Sequence, residues 1–416
     1  MAFYSGSKTN QNLVFGDKGE IGNSSFAYSE AATVASTENK ITASDGTSSD
    51  HFGWSVAVGD GRIVVGAEDG NSDQGAAYIY NLDGTNETNI TVSDGATGDK
   101  FGYSVAVGCG KIVVGAYRDD DNGSSSGSAY IFDLDGTNET KITASDGAAS
   151  DDFGFSVAAG SGRIVVGADG KNSNQGAAYI FDLDGTQLAK ITASDGVAGD
   201  RFGYSVAVGS GRIVVGAQWD TDNGSQSGSA YIFDLDGNQL AKITASDGAT
   251  GDWFGNSVAV GGGRIVVGAP LDDDNGNRSG SAYIFDLDGT QLAKITNSDG
   301  AREDDQFGKS VAVGCGRIVV GANGDGDNGS FSGSAYIFNL DGTNETKITA
   351  SDGAASDSFG YSVAIGSGRI VLGAYGDDDN GSESGSAYIY NTNEYYDDYV
   401  EKIADNRIGQ YTRLTG

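Results

Sequence analysis

The sequence predicts an all-β protein: a seven-bladed β-propeller of four-stranded antiparallel blades with short non-repeat extensions at both ends. Three observations predict it. A unit of roughly 50 residues recurs seven times, each unit holds four short β-type runs, and turn residues separate the runs. The dipeptide Phe-Gly opens the units at Phe52, Phe101, Phe153, Phe202, Phe254, Phe307 and Phe359. Each reads FGxSVAVGxGRIVVGA, then a loop rich in Asp, Asn, Gly and Ser, then SAYIFDLDGTxxxKITASDG.

The first run alternates small and branched residues, as in Ser205, Val206, Ala207 and Val208. Small-against-large packing suits the strand nearest a propeller axis, where neighbouring blades crowd together. The runs show no polar/apolar alternation, so both faces of each sheet are expected to be buried. Asp-Gly pairs, such as Asp135 and Gly136 or Asp236 and Gly237, predict a two-residue hairpin turn between the third and fourth strands. The fourth strand is expected to begin at Ile41, Ile90, Ile142, Ile191, Ile243, Ile295 and Ile348. Each of these precedes a Phe-Gly, so the seventh unit lacks a fourth strand of its own. The segment Lys40 to Ser44 is expected to cross back and complete the blade ending at Tyr390; the tail Tyr399 to Asp405 is its rival. The chain thus divides into an N-terminal extension (1–36), the propeller (37–391) and a C-terminal extension (392–416), the two extensions being candidate anchors.

Composition narrows the function. With 25 basic and 58 acidic residues the net charge is −33, which repels phosphate backbones, so nucleic acid and anionic membrane are poor partners. A single histidine, His51, and two cysteines leave little scope for histidine acid–base chemistry, zinc sites or a disulfide framework. No apolar run approaches the ~20 residues of a membrane helix, and MAFYSGSKTN lacks the basic and apolar regions of a secretory signal. With 68 glycines, one proline and 38% hydrophobic residues, the chain is expected to be folded and turn-dense rather than a helical bundle.

Two acidic patterns are candidate sites. Five units share D-x-D-N-G: Asp119, Asp121 and Asn122; Asp220, Asp222 and Asn223; Asp272, Asp274 and Asn275; Asp325, Asp327 and Asn328; Asp377, Asp379 and Asn380. Alternating carboxylates on a Gly turn can supply the six to eight oxygens that calcium favours, although the spacing misses the EF-hand pattern by one residue. Asp-Asn-Gly is also ordinary turn chemistry. The second pattern, SDGxxxDxFG, contains Asp45 and Asp50, Asp94 and Asp99, Asp146 and Asp151 and their later equivalents. It recurs in every unit and reads as turn formation between blades.

Departures between copies point elsewhere, because a residue the blade requires recurs and one serving a partner need not. After Phe-Gly stand Trp54, Tyr103, Phe155, Tyr204, Asn256, Lys309 and Tyr361. Five aromatics near one face of the ring suit stacking on sugars or filling a partner's pocket; the alternative is that they cap the inner strands as core. Trp219 and Trp253 occur once each, in loop positions expected to be exposed. Cys109 and Cys315 occupy the same GxG turn in non-adjacent units and are expected to be free thiols.

The units resemble FG-GAP repeats, the blade sequence of the integrin α-subunit propeller and of many bacterial and viral surface proteins, over about residues 38–391. Phe-Gly stands in all seven units, the GAP element survives as Gly-Ala, and only Gly268, Ala269 and Pro270 preserve it whole. The resemblance implies a propeller used for adhesion or assembly, often with calcium in blade loops. Integrin-type calcium loops lie between the two elements, where this chain has a bare GxG, so those metal residues do not carry over. The acidic loop lies after Gly-Ala instead, as in a bacterial-type variant.

Near-identical copies offer no unique convergent acid, base or nucleophile, so no catalysis is expected. The expected function is a non-catalytic exterior module, a virion component of a phage tail or capsid surface. It would bind a receptor, glycan or neighbouring subunit. The alternatives are a calcium-dependent bacterial cell-surface adhesin and, behind it, a polysaccharide-acting enzyme using paired carboxylates. Acidity that reflects only a high-salt habitat is a further possibility.

Overall fold

A computed structural model describes residues 35–298 and 302–392. They form seven four-stranded antiparallel sheets, six of them meanders of consecutive strands and the seventh taking its outer strand from the N-terminal segment. In the first blade the strands are Phe52–Gly59, Arg62–Ala67, Ala76–Asn81 and Thr88–Ile90. The ring closes as expected: Ala35–Ile41 pairs antiparallel with Ser386–Asn391, Lys40 standing opposite Tyr388. The rival closing segment, Tyr399 to Asp405, and nearly all of both extensions lie outside the described residues.

Three details differ from the expectation. The fourth strand ends at the isoleucine instead of starting there, as in Gln239–Ile243. The Thr-Ala-Ser that follows leads into a turn, where Ala245 stays buried and Gly248 N–H donates to its carbonyl. The Asp-Gly loop closes a three-residue turn: Gly136 N–H donates to Asp133 O and Asp133 N–H to Thr137 O, and of Leu134, Asp135 and Gly136 only Gly136 has positive φ (82°). Two-residue turns with both centres at positive φ lie instead between the first and second strands, as at Asp60 (48°) and Gly61 (78°). Finally, burial of both faces holds for the second and third strands, while the first is only partly buried beside the axis and the fourth only partly buried because it is the outer edge.

The repeat motif is the joint between blades. Gly66, from Gly-Ala of the first blade, backs onto the carbonyl of Gly102, from Phe-Gly of the second, and a methyl on Gly66 would overlap that oxygen. Ser55 Oγ donates to the same carbonyl at 2.8 Å, and this bond recurs from Ser104, Ser156, Ser205, Ser310 and Ser362. Backbone contact this close requires glycine on both sides, which is why the motif carries two. The phenylalanine beside it is fully buried: Phe101 meets Tyr130 and Phe132 edge-on at 5.6 and 6.1 Å. Such burial is worth about 2 kcal/mol per ring. At the opposite end of the blade Arg62 Nε donates to Leu134 O of the next blade at 3.1 Å, a clamp repeated by Arg163, Arg212, Arg264 and Arg369.

Candidate functional site

The acidic loops are completed by a lysine that the sequence did not single out. In the fourth blade the Lys242 ammonium lies 2.8 Å from Asp195, 2.9 Å from Asp220 and 2.5 Å from Asp222. Tyr231 OH donates into the same carboxylates, 2.9 Å from both Asp195 and Asp220, and the ammonium sits 5.2 Å from its ring centroid. Asp195 belongs to the SDG turn of the preceding blade, so the cluster is also a joint. Lys141, Lys294 and Lys40 repeat it with three carboxylates each, and Lys347 holds Asp325 and Asp327. Burial works against these charges, yet the hydrogen bonds prevail and hold Lys40, Lys141, Lys242 and Lys294 well above the ordinary lysine range.

Calcium therefore fits these loops poorly. Three carboxylates converge, as at Asp94, Asp119 and Asp121, but a lysine from the blade's own sheet stands on the oxygens a metal would use. The asparagines take no part: Asn122, Asn223, Asn275, Asn328 and Asn380 are exposed, and Asn380 Nδ2 reaches the Ala43 carbonyl at 3.4 Å. Turn chemistry is visible as well, since Asp121 and Asp222 N–H donate to Asp119 and Asp220 at 3.1 Å. The second acidic residue of SDGxxxDxFG closes its own turn: Asp99 accepts from Ala96 N–H at 2.6 Å and Asp151 from Ala148 N–H at 2.7 Å.

The copy-to-copy variation collects at one mouth of the ring. Between Phe52 and Ser55 the inner strand slips register against its neighbour, and Trp54 N–H closes a turn onto His51 O at 3.0 Å. This bulge lifts the side chain after Phe-Gly out of the ladder and re-aims it. Trp54, Tyr103, Phe155 and Tyr204 follow one another with centroids 5.7, 4.9 and 5.0 Å apart, and Tyr361 lies 4.8 Å from Trp54 on the other side. All five are partly exposed and line a cavity of about 230 Å³ on the axis. They pack on one another, as the core alternative expects, while still bordering solvent. Asn256 and Lys309 complete the circle, with Lys309 Nζ 5.2 Å from the Tyr361 ring and Asn256 Nδ2 donating to Gln218 at 2.6 Å.

A second circle surrounds the first, formed by the residue before Phe-Gly and the two after Gly-Ala. Trp219 and Trp253 belong to it, 6.4 Å apart and half-buried rather than exposed as expected, because Arg201 covers Trp219 at 4.2 Å. Arg201 also pairs with Asp169 at 3.0 Å. Burial, partly offset by Arg201, raises the Asp169 carboxyl to about 7. In the first blade the same circle holds His51, Glu68 and Asp69, with Lys100 on Asp69. Tyr117 and Tyr375, also missed in the sequence, pack on Tyr103 and Trp54 at 4.4 and 5.0 Å. The signal was available: these positions vary from copy to copy as the first circle does. Cys109 and Cys315 are not joined in a disulfide, and Cys109 Sγ accepts from Gly162 N–H at 3.3 Å.

Radial sheets with a variable mouth define a blade-repeat propeller. A family model described as the FG-GAP repeat matches seven segments, residues 36–80, 85–132, 137–181, 186–233, 238–285, 290–338 and 343–390. The chain belongs to the FG-GAP repeat family. No curated protein matches it.

Proposed function

We propose that the chain is a non-catalytic binding module whose contact surface is the aromatic mouth, acting as a virion surface component that engages a receptor, glycan or neighbouring subunit. The observation that carries this reading is where the variation falls. Blade joints repeat almost unchanged around the ring, whereas the two circles at the mouth differ in nearly every copy. Aromatic faces beside a lysine and an amide suit a sugar or peptide bearing an acidic group, stacking on Trp54 and Tyr361 with Lys309 as charge partner. The net charge of −33 would keep such a disc soluble and off nucleic acid. A calcium-dependent cell-surface adhesin is the weaker reading, since five loops already hold an ammonium.

The test is retention of the labelled full chain on candidate host cells, on a glycan array and on purified particles, for the wild type and for Trp54→Ala and Lys309→Ala. Specific retention that falls at least tenfold in both variants supports the proposal. Retention indifferent to both, or turnover of a polysaccharide abolished by one Asp substitution, overturns it.

A further inference from the structure

We propose that His51, Glu68 and Asp69 form a binding site for one divalent transition ion of the zinc class at the rim of the mouth. His51 Nδ1 lies 2.9 Å from Asp69 Oδ2 and 3.8 Å from Glu68 Oε1. Two ligands on a tetrahedral ion at roughly 2.0–2.1 Å stand about 3.3 Å apart, and the two separations bracket that value.

Two orphaned groups point at the common centre. His51 Nδ1 is buried and makes no hydrogen bond, so its short approach to Asp69 is out of line for one. The Glu68 side chain is only 9% exposed, and among the described residues no hydrogen bond reaches its carboxylate. A buried carboxylate without donors is costly, and the paired arrangement elsewhere in this molecule shows what satisfies one. In the outer clusters an ammonium stands among all the carboxylates. Here Lys100 reaches only Asp69 Oδ1, leaving Oδ2, Glu68 and the imidazole facing one another.

A nitrogen ligand beside two carboxylates selects zinc-like ions over calcium or magnesium. The other imidazole nitrogen, Nε2, faces Glu383 at 3.7 Å, the kind of outer carboxylate that orients a ligating histidine. Three protein ligands leave a fourth position for water or for an acidic group of a bound partner. Trp54, 6.0 Å from His51, is close enough to report occupancy.

The experiment titrates chelator-stripped full-length protein with Co²⁺, reading visible d–d absorption and tryptophan quenching, then displaces Co²⁺ with Zn²⁺. One saturable equivalent per chain is expected, with affinity falling at least tenfold in His51→Gln and in Glu68→Gln. Both variants install residues that other blades carry at the same positions, Gln306 and Gln218, so the fold is retained. Asp121→Asn, in a lysine-filled cluster, is expected to leave the titration unchanged. Absence of saturable binding, or binding indifferent to both His51→Gln and Glu68→Gln, overturns the site.

Discussion

The joints between blades and the mouth they surround are built from the same repeat yet differ in how their polar groups are satisfied. At the joints each acid has an assigned donor: Lys242 takes three carboxylates, Tyr231 two, and each SDG aspartate belongs to one blade while serving the next. Buried hydroxyls without partners also occur in the frame, at Ser128, Ser229, Ser281 and Ser334 where the third strands begin, but at the mouth the unpartnered atoms include a ring nitrogen and a carboxylate: His51 Nδ1 and Asp169 Oδ1, with Trp219 Nε1 beside them. Satisfied groups rigidify a frame, whereas unsatisfied ones mark the places where something else must bind or where strain is stored. The difference teaches that this propeller closes its ion pairs on the outer rim and leaves a ring nitrogen and a carboxylate oxygen unpaired on the inner one.

The largest expected effect breaks a joint outright. Gly216→Ala would drive a methyl into the Gly255 carbonyl and force two blades apart, at a cost of about 3 kcal/mol or more. Chemical denaturation should show it, and a midpoint unchanged from wild type would refute the close-contact account of the motif. Next comes Lys242→Met, which strips the ammonium from three carboxylates, one of them the buried Asp220. We expect a loss of about 2 kcal/mol, part of it recovered by calcium, while the wild-type melting temperature responds to neither calcium nor chelator. Calcium stabilisation of the wild type would mean that the lysine yields its place.

The pH profile sharpens the contrast more gently. Although desolvation opposes it, Lys190 and Tyr179 hold Asp146 down to about 2, so its contribution is present above the unfolded value near 4 and lost as pH falls toward 2. Burial has the opposite consequence for Asp252 and Asp357, raised to about 6, and for Asp169, raised to about 7. Their folded states hold a proton that the unfolded chain releases near pH 4, so stability declines as pH rises from about 4 through 6 to 7. Thermal melts should therefore peak near pH 4 and decline on either side, toward pH 2 and toward pH 7. The smallest change is Asp169→Asn, which installs the residue blade six carries as Asn323 and should flatten the decline between about pH 4 and 7. An unaltered slope would show that Asp169 is ionised throughout.

How much was legible follows the distance over which each feature is made. Phe-Gly, Gly-Ala and the intervening turns lie within one unit, and their spacing announces the blade. The open edge was legible too, because a seventh unit without a fourth strand leaves one to fill; the structure chose the N-terminal segment over the tail as its occupant. Lys242 was not, since it stands 47 residues from Asp195 and 20 from Asp222 in the chain, and nothing local distinguishes it from a solvated surface lysine. His51 was noticed only as the single histidine, and its scarcity argued against metal chemistry until the fold set it beside Glu68 and Asp69.

By itself the sequence determined the blade number and the strand order and left two segments to close the ring, because strand periodicity, turn residues and the glycines of close contact act over a few residues and repeat. Only the tertiary structure decided which charges meet. Ammonium and carboxylate converge across blade boundaries, and a register slip in the inner strand turns variable side chains toward the axis, so both outcomes depend on packing between units that no single unit encodes.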